Sequence, residues 1–231
     1  MREIVFDTET TGFSYAGGDR LVEIGAVELH HRIPTGRVFH RYCNPGRPMP
    51  AAAQAVHGLS DAFLADKPRF GEIAEELIEF LGDCPLVAHN ASFDFGFLNA
   101  ELAACGRPAV DAARMVDTLE LAKRLFPGAK HSLDSLCSRF GVDATHRTHH
   151  GALLDAHLLC HVYVELCGGR QITLTLVDDT ACDPVPLPGG PAPAAGPRRQ
   201  RVFAASDVEL ERHAAFLRTV DAPLWLAAPS G

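Results

Sequence analysis

Residues 3–9 alternate in the two-residue period of a β-strand, and segments 21–29 and 38–43 have the same character. A Gly-rich stretch separates the first two. Ile33-Pro34-Thr35-Gly36 predicts a turn between the second and third, so the three should form an antiparallel meander. From residue 70 to 81 the pattern becomes helical, with Ile73, Leu77, Ile78 and Leu81 on one side. A short apolar run at 85–89 reads as a buried strand. Asn90 is placed to cap a helix over 91–105, and 114–117 predicts a fifth, short strand. Segments 119–126, 133–140 and 151–167 read as helices. Strands followed by strands alternating with helices define an α/β domain around a mixed sheet.

Beyond residue 176 the periodicity stops. Six prolines and three glycines fall between Ala181 and Gln200, so 177–200 reads as a linker. Ser206-Asp207-Val208-Glu209 is a capping box, which predicts a helix with apolar positions at Leu210, Ala214, Phe216 and Leu217. The expected organisation is a domain over 1–176, a linker over 177–200 and a short helical tail over 201–231 that docks on a partner.

Composition adds exclusions. The seven cysteines include no Cys-x-x-Cys pair, so neither a disulfide framework nor a zinc ribbon is indicated. No apolar run reaches the roughly 18 residues of a membrane span, and the first residues lack a signal-peptide pattern. A cytoplasmic protein with no membrane role is the expectation. The formal charge of −8 argues against a nucleic-acid binder that relies on a basic face. It permits one whose carboxylates are loaded with cations.

Acidic residues point inward from three elements, one strand and two helices. Asp7 and Glu9 share one face of the first strand with Val5, about 7 Å apart along the backbone. At about 100° per residue, Phe97 and Leu98 lie within about 60° of Asp94. By the same geometry Leu159, Val162 and Leu166 lie within about 40° of Asp155. His157 and His161 fall on the opposite face and read as surface residues, while His149 and His150 precede the helix and cannot be ranked by periodicity. A zinc site from His146, His149, His150 and Asp155 has no recognised spacing to support it. Gathered carboxylates require cations, and oxygen ligands of this kind suit Mg²⁺ or Mn²⁺. A histidine beside them would serve as a base.

Together these residues resemble the DEDDh family of 3′→5′ exonucleases. Its first motif matches Asp7-Thr8-Glu9, its second Asp94, and its third His150 followed five residues later by Asp155. That spacing selects His150 over His149. Val56-His57-Gly58-Leu59, His89-Asn90-Ala91-Ser92-Phe93-Asp94, Phe126-Pro127-Gly128 and Arg147-Thr148 through Asp155 extend the match over roughly 1–170, in particular to proofreading members that work inside a bacterial replicase.

The resemblance implies a ribonuclease H-like fold with a five-stranded mixed sheet. It implies two divalent ions, Mg²⁺ or Mn²⁺, held by Asp7, Glu9, Asp94 and Asp155, with His150 activating the water. The backbone of Thr8, Glu9, Thr10, Thr11 and Gly12, with His57 and Asn90, would hold a DNA 3′ end. In the tail, Gln171, Leu174 and Leu176 match a sliding-clamp-binding peptide, although a short edge strand or linker run explains them equally well. Phe203, Phe216, Leu217, Leu224 and Trp225 would grip the polymerase subunit. Two alternatives remain open: a free-standing exonuclease trimming RNA or oligonucleotides, and a non-catalytic adaptor between clamp and polymerase.

Overall fold

The computed structural model describes residues 1–145, 149–169 and 205–219. The chain divides into two units, Met1–Thr175 and Leu176–Gly231. In the first unit, β1 (Arg2–Thr10), β2 (Leu21–His30) and β3 (Ile33–Tyr42) precede α1 (Ala51–His57), α2 (Asp61–Leu64) and α3 (Phe70–Leu81). Then come β4 (Leu86–Ala88), α4 (Ala91–Ala104), β5 (Met115–Asp117), α5 (Thr118–Leu125), α6 (Leu133–Phe140) and α7 (Ala152–Leu166). The second unit contains α8 (Asp207–Leu217).

The sheet has five strands in the order β3-β2-β1-β4-β5. β1–β2 and β2–β3 are antiparallel, whereas β1–β4 and β4–β5 are parallel. The expected mixed sheet is therefore present. Ile4, Phe6, Ile24, Ala26, Leu86 and Ala88 bury one face against α3 and α4. Val5, Val27 and Val87 bury the other against α6 and α7. Alternation along β1 thus serves two cores, one on each face.

Two local readings need correction. The turn lies at His31-Arg32, not at 33–36: both residues have positive φ (51° and 64°), and His30 pairs with Ile33 across a two-residue hairpin. The Pro-Thr-Gly signals mark a register shift within the edge strand β3, where Gly36 takes φ 86° and Pro34 needs no ladder donor. Asn90 does precede α4, but it is left-handed (φ 61°, ψ 51°) and makes no side-chain cap. Its backbone N–H instead donates to Asp117 Oδ1 at 3.1 Å.

Helices α1 and α2 were not foreseen. α1 buries only His57 and α2 only Leu64, so neither writes an apolar stripe into the chain. The capping box of α8 forms as expected, with Glu209 Oε2 accepting from the Ser206 backbone N–H at 2.8 Å. Among the described residues no helix is long and apolar enough to cross a membrane. The linker assignment over 177–200 lies outside the described residues.

Candidate active site

A cleft of about 490 Å³ opens where β1 and β4 end, lined by Asp7, Thr8, Glu9, Asn90, Phe93, Asp94, His150 and Asp155, and also by His89 and His131. Strand alternation determines how the carboxylates reach it. Asp7 and Glu9 stand on the α7 side of β1, and Thr8 on the α4 side. Asp94, in the first turn of α4, is 3% exposed and accepts a 2.7 Å hydrogen bond from the Thr8 hydroxyl. Asp155, in the first turn of α7, is likewise 3% exposed, and its Oδ2 lies 3.2 Å from His150 Nδ1. One acid therefore arrives from each face of the sheet at the end of the same strand.

Ligand atoms of Glu9, His150 and Asp155 lie within 4.8 Å of one another, close enough to share a cation. Burial pushes the Asp94 carboxyl up to about 7, with the nearby Asp117 charge adding to the rise and the Thr8 hydrogen bond opposing it. A carboxyl this desolvated is suited to a site where a bound cation restores its charge. The donor set is oxygen-rich with one imidazole, and it fits a hard divalent metal.

The loop carrying the histidines is held from α1. His150 N–H donates to the Val56 carbonyl at 3.2 Å, and the His149 ring faces Gly58, which takes φ 76°. His157 and His161 are exposed, as helix geometry required. Thr10, Thr11, Gly12 and His57 lie beside this cleft without lining it. The Thr10 hydroxyl donates to the Gly12 carbonyl and the Thr11 hydroxyl to Asp19 Oδ1, which pins the loop after β1. His57 is buried. Its Nδ1 accepts from Leu59 N–H at 3.0 Å, and its Nε2 makes no hydrogen bond of normal geometry among the described residues, although the Thr10 carbonyl is near enough to act on the ring. Burial lowers its pKa, opposed by Glu23 and the Thr10 carbonyl.

Two positions escaped the sequence reading. Gly25 pairs with Asp7, and a Cβ there would run into the backbone of Ala152 and Leu153. The absent side chain lets the first turn of α7 sit on the sheet and bring Asp155 within reach of β1. A glycine inside an apolar strand is the signal that could have found it. Phe13 is 90% exposed and stands 6.4 Å, ring to ring, from Phe93 at the cleft wall. It lies on a loop, where periodicity is silent. Of the tail residues, Phe216 is exposed and Leu217 buried, whereas Gln171, Leu174, Leu176, Phe203, Leu224 and Trp225 lie outside the described residues.

A mixed sheet that gathers four acids and a histidine at the end of its central strand defines a metal-dependent nuclease. Residues 4–163 match the family model described as Exonuclease, and the chain belongs to that family. Within it, the chain groups with DNA polymerase III epsilon subunits, the proofreading 3′→5′ exonucleases. It is 50% identical over 184 residues to DNA polymerase III subunit epsilon of Rickettsia conorii, covering 78% of this chain and 80% of that protein. It is 44% identical over 176 residues to the same subunit of Escherichia coli, covering 73% and 72%. Among solved structures, exonuclease X in complex with 5′ overhanging duplex DNA superposes with a TM-score of 0.56 at 27% identity, covering 72% of this chain and 91% of that one. The DEDDh resemblance drawn from the motifs is borne out, and divalent-metal dependence follows from the family.

Proposed function

We propose that the chain is the proofreading exonuclease of a bacterial replicase, removing the 3′-terminal nucleotide of DNA at the cleft between β1, α4 and α7. The observation that carries this reading is the convergence of Glu9, His150 and Asp155 within 4.8 Å, beside Asp7 and the buried Asp94.

Asp7, Glu9 and Asp155 would hold a pair of Mg²⁺ or Mn²⁺ ions, supported by Asp94. Such a pair, when bound, polarises the attacked phosphate and stabilises the charge developing on the leaving oxygen. His150 Nδ1 lies 3.2 Å from Asp155 Oδ2; with the proton of the neutral ring on Nδ1, Nε2 would be the base that takes a proton from the attacking water. The products are a nucleoside 5′-monophosphate and a strand one nucleotide shorter.

The pinned backbone of Thr8 to Gly12, with His57 and Asn90, holds the terminal nucleotide. His57 is supported by its buried Nε2, which makes no hydrogen bond of normal geometry among the described residues. Phe13, exposed beside Phe93, offers a stacking face for a base. The tail docks on the polymerase alpha subunit, with the exposed Phe216 among its anchors, and Gln171, Leu174 and Leu176 engage the sliding clamp. The protein works in the cytoplasm.

Digestion of 3′-labelled single-stranded DNA, mismatched duplex and RNA, with Mg²⁺ or Mn²⁺ and with or without the alpha subunit, tests this reading. The expected result is faster removal of frayed DNA ends and co-purification with the alpha subunit. Preference for RNA with no polymerase association would favour a free-standing trimming enzyme, and no activity on any substrate would favour an adaptor.

A further inference from the structure

From the residues packed behind the cleft we infer that buried Glu23 and half-buried His40 form a positioning pair that directs Glu9 toward the metal position. The inference rests on the reading of the carboxylate centre given above.

Glu23 stands directly opposite Glu9 in the β1–β2 ladder, and opposite Tyr42 on its other side. Residues opposed in this way carry their side chains on one face, with Cβ atoms about 4.5–5.5 Å apart, and like charges there destabilise the pair. Glu23 is only 3% exposed, so water does little to relieve that repulsion. A buried acid behind a metal ligand therefore needs a partner.

His40 supplies one. It pairs with Gly25, one rung along on the same face, and its Nε2 lies 2.7 Å from Glu23 Oε1. The imidazole is steadied in turn by the Tyr42 ring, with centroids 4.8 Å apart and planes at 62°. Glu23 is thus anchored from the edge strand, on the side remote from Glu9.

The anchor gives the repulsion a direction. Were Glu23 loose, both carboxylates would turn away from each other. With Glu23 held by His40, the repulsion bears on Glu9 from the side opposite Asp155 and His150, with which Glu9 converges. The pair acts on metal binding through Glu9 and touches neither metal nor substrate.

Mn²⁺ binding to the full chain without DNA, followed by the electron paramagnetic resonance of free Mn²⁺, tests this. His40→Ala and Glu23→Gln should weaken Mn²⁺ binding about 10- to 100-fold, the range for residues that orient ligands. The Mn²⁺ concentration giving half-maximal rate should rise by a matching factor, with the loss falling there rather than on kcat. His40→Gln, which keeps a donor in place, should recover most of the affinity. Wild-type affinity in Glu23→Gln overturns the pair, and this variant decides the matter alone if His40→Ala fails to fold. Asp155→Ala is measured alongside. Wild-type affinity in that variant would mean that the centre itself is wrongly assigned and would remove the inference with it, a failure distinct from an inert Glu23.

Discussion

Asp94 and Asp155 look alike by every local measure, yet they occupy different electrostatic positions. Each lies in the first turn of a helix and each is 3% exposed. Asp94 comes from the α4 face of the sheet, is tied to the neutral Thr8 hydroxyl, and is pushed up to about 7. Asp155 comes from the α7 face and meets an imidazole and Glu9. Burial alone therefore does not set the role of an acid; its neighbours do. Asp94 is raised by burial beside a neutral hydroxyl, whereas Asp155 faces an imidazole and a second carboxylate.

Asp155→Ala gives the sharpest contrast. It removes a ligand and the partner of His150 together, and should lower the exonuclease rate well beyond the about 100-fold typical of outer-sphere partners. Asp94→Asn should also lose most activity, but it should retain the fold, because an amide keeps the acceptor that the Thr8 hydroxyl needs. Circular dichroism beside a nuclease assay separates the two effects. Equal loss of fold in both variants would erase the distinction.

His150→Ala should reduce kcat by about 10²- to 10⁴-fold, the range for general bases, with a smaller effect on metal affinity. His149→Ala should leave kcat near that of the wild type, since the His149 ring faces Gly58. The reverse order would place the base one residue earlier.

Gly25→Ala tests how α7 reaches the sheet. The added Cβ meets the Ala152–Leu153 backbone, and overpacking of this sort costs about 1–3 kcal/mol. Thermal melts should show that loss. Activity should fall more than the stability change explains, because Asp155 and His150 move together, and activity unaffected by the displaced helix would count against tight positioning.

The metal-free protein should show a pH dependence of stability set by Asp94. The folded pKa of Asp94 is raised from 3.8 to about 7, so its neutral form is favoured in the folded state. The stability this contributes is complete below about pH 4 and is lost as pH rises through about 7. Melting temperatures in a chelator should fall across that window, and the fall should vanish in Asp94→Asn. A fall of the same size in the variant would assign the effect to another group.

How much of this was legible in the chain depended on periodicity. Helix geometry placed Asp94 and Asp155 inward and His157 and His161 outward, and the structure agrees on all four. It could not rank His149 against His150, because a loop has no period; motif spacing made that choice. The meander was legible, but its turn was misplaced: Pro34 and Gly36 mark an irregular edge strand, while His31-Arg32 turns without glycine. α1 stayed hidden because a helix that buries only His57 carries no stripe. Gly25, Glu23 and His40 matter through cross-strand register, which a one-dimensional pattern does not show.

The central claim, metal-dependent removal of 3′ ends at the cleft where β1, α4 and α7 meet, is tested most directly by single-turnover digestion of a 3′-labelled DNA strand. Wild type and Asp155→Ala would be compared in Mg²⁺ and in chelator. Release of labelled nucleoside 5′-monophosphate by the wild type in Mg²⁺ alone, with none from the variant, is the predicted result. Full Mg²⁺-dependent release by Asp155→Ala would contradict it.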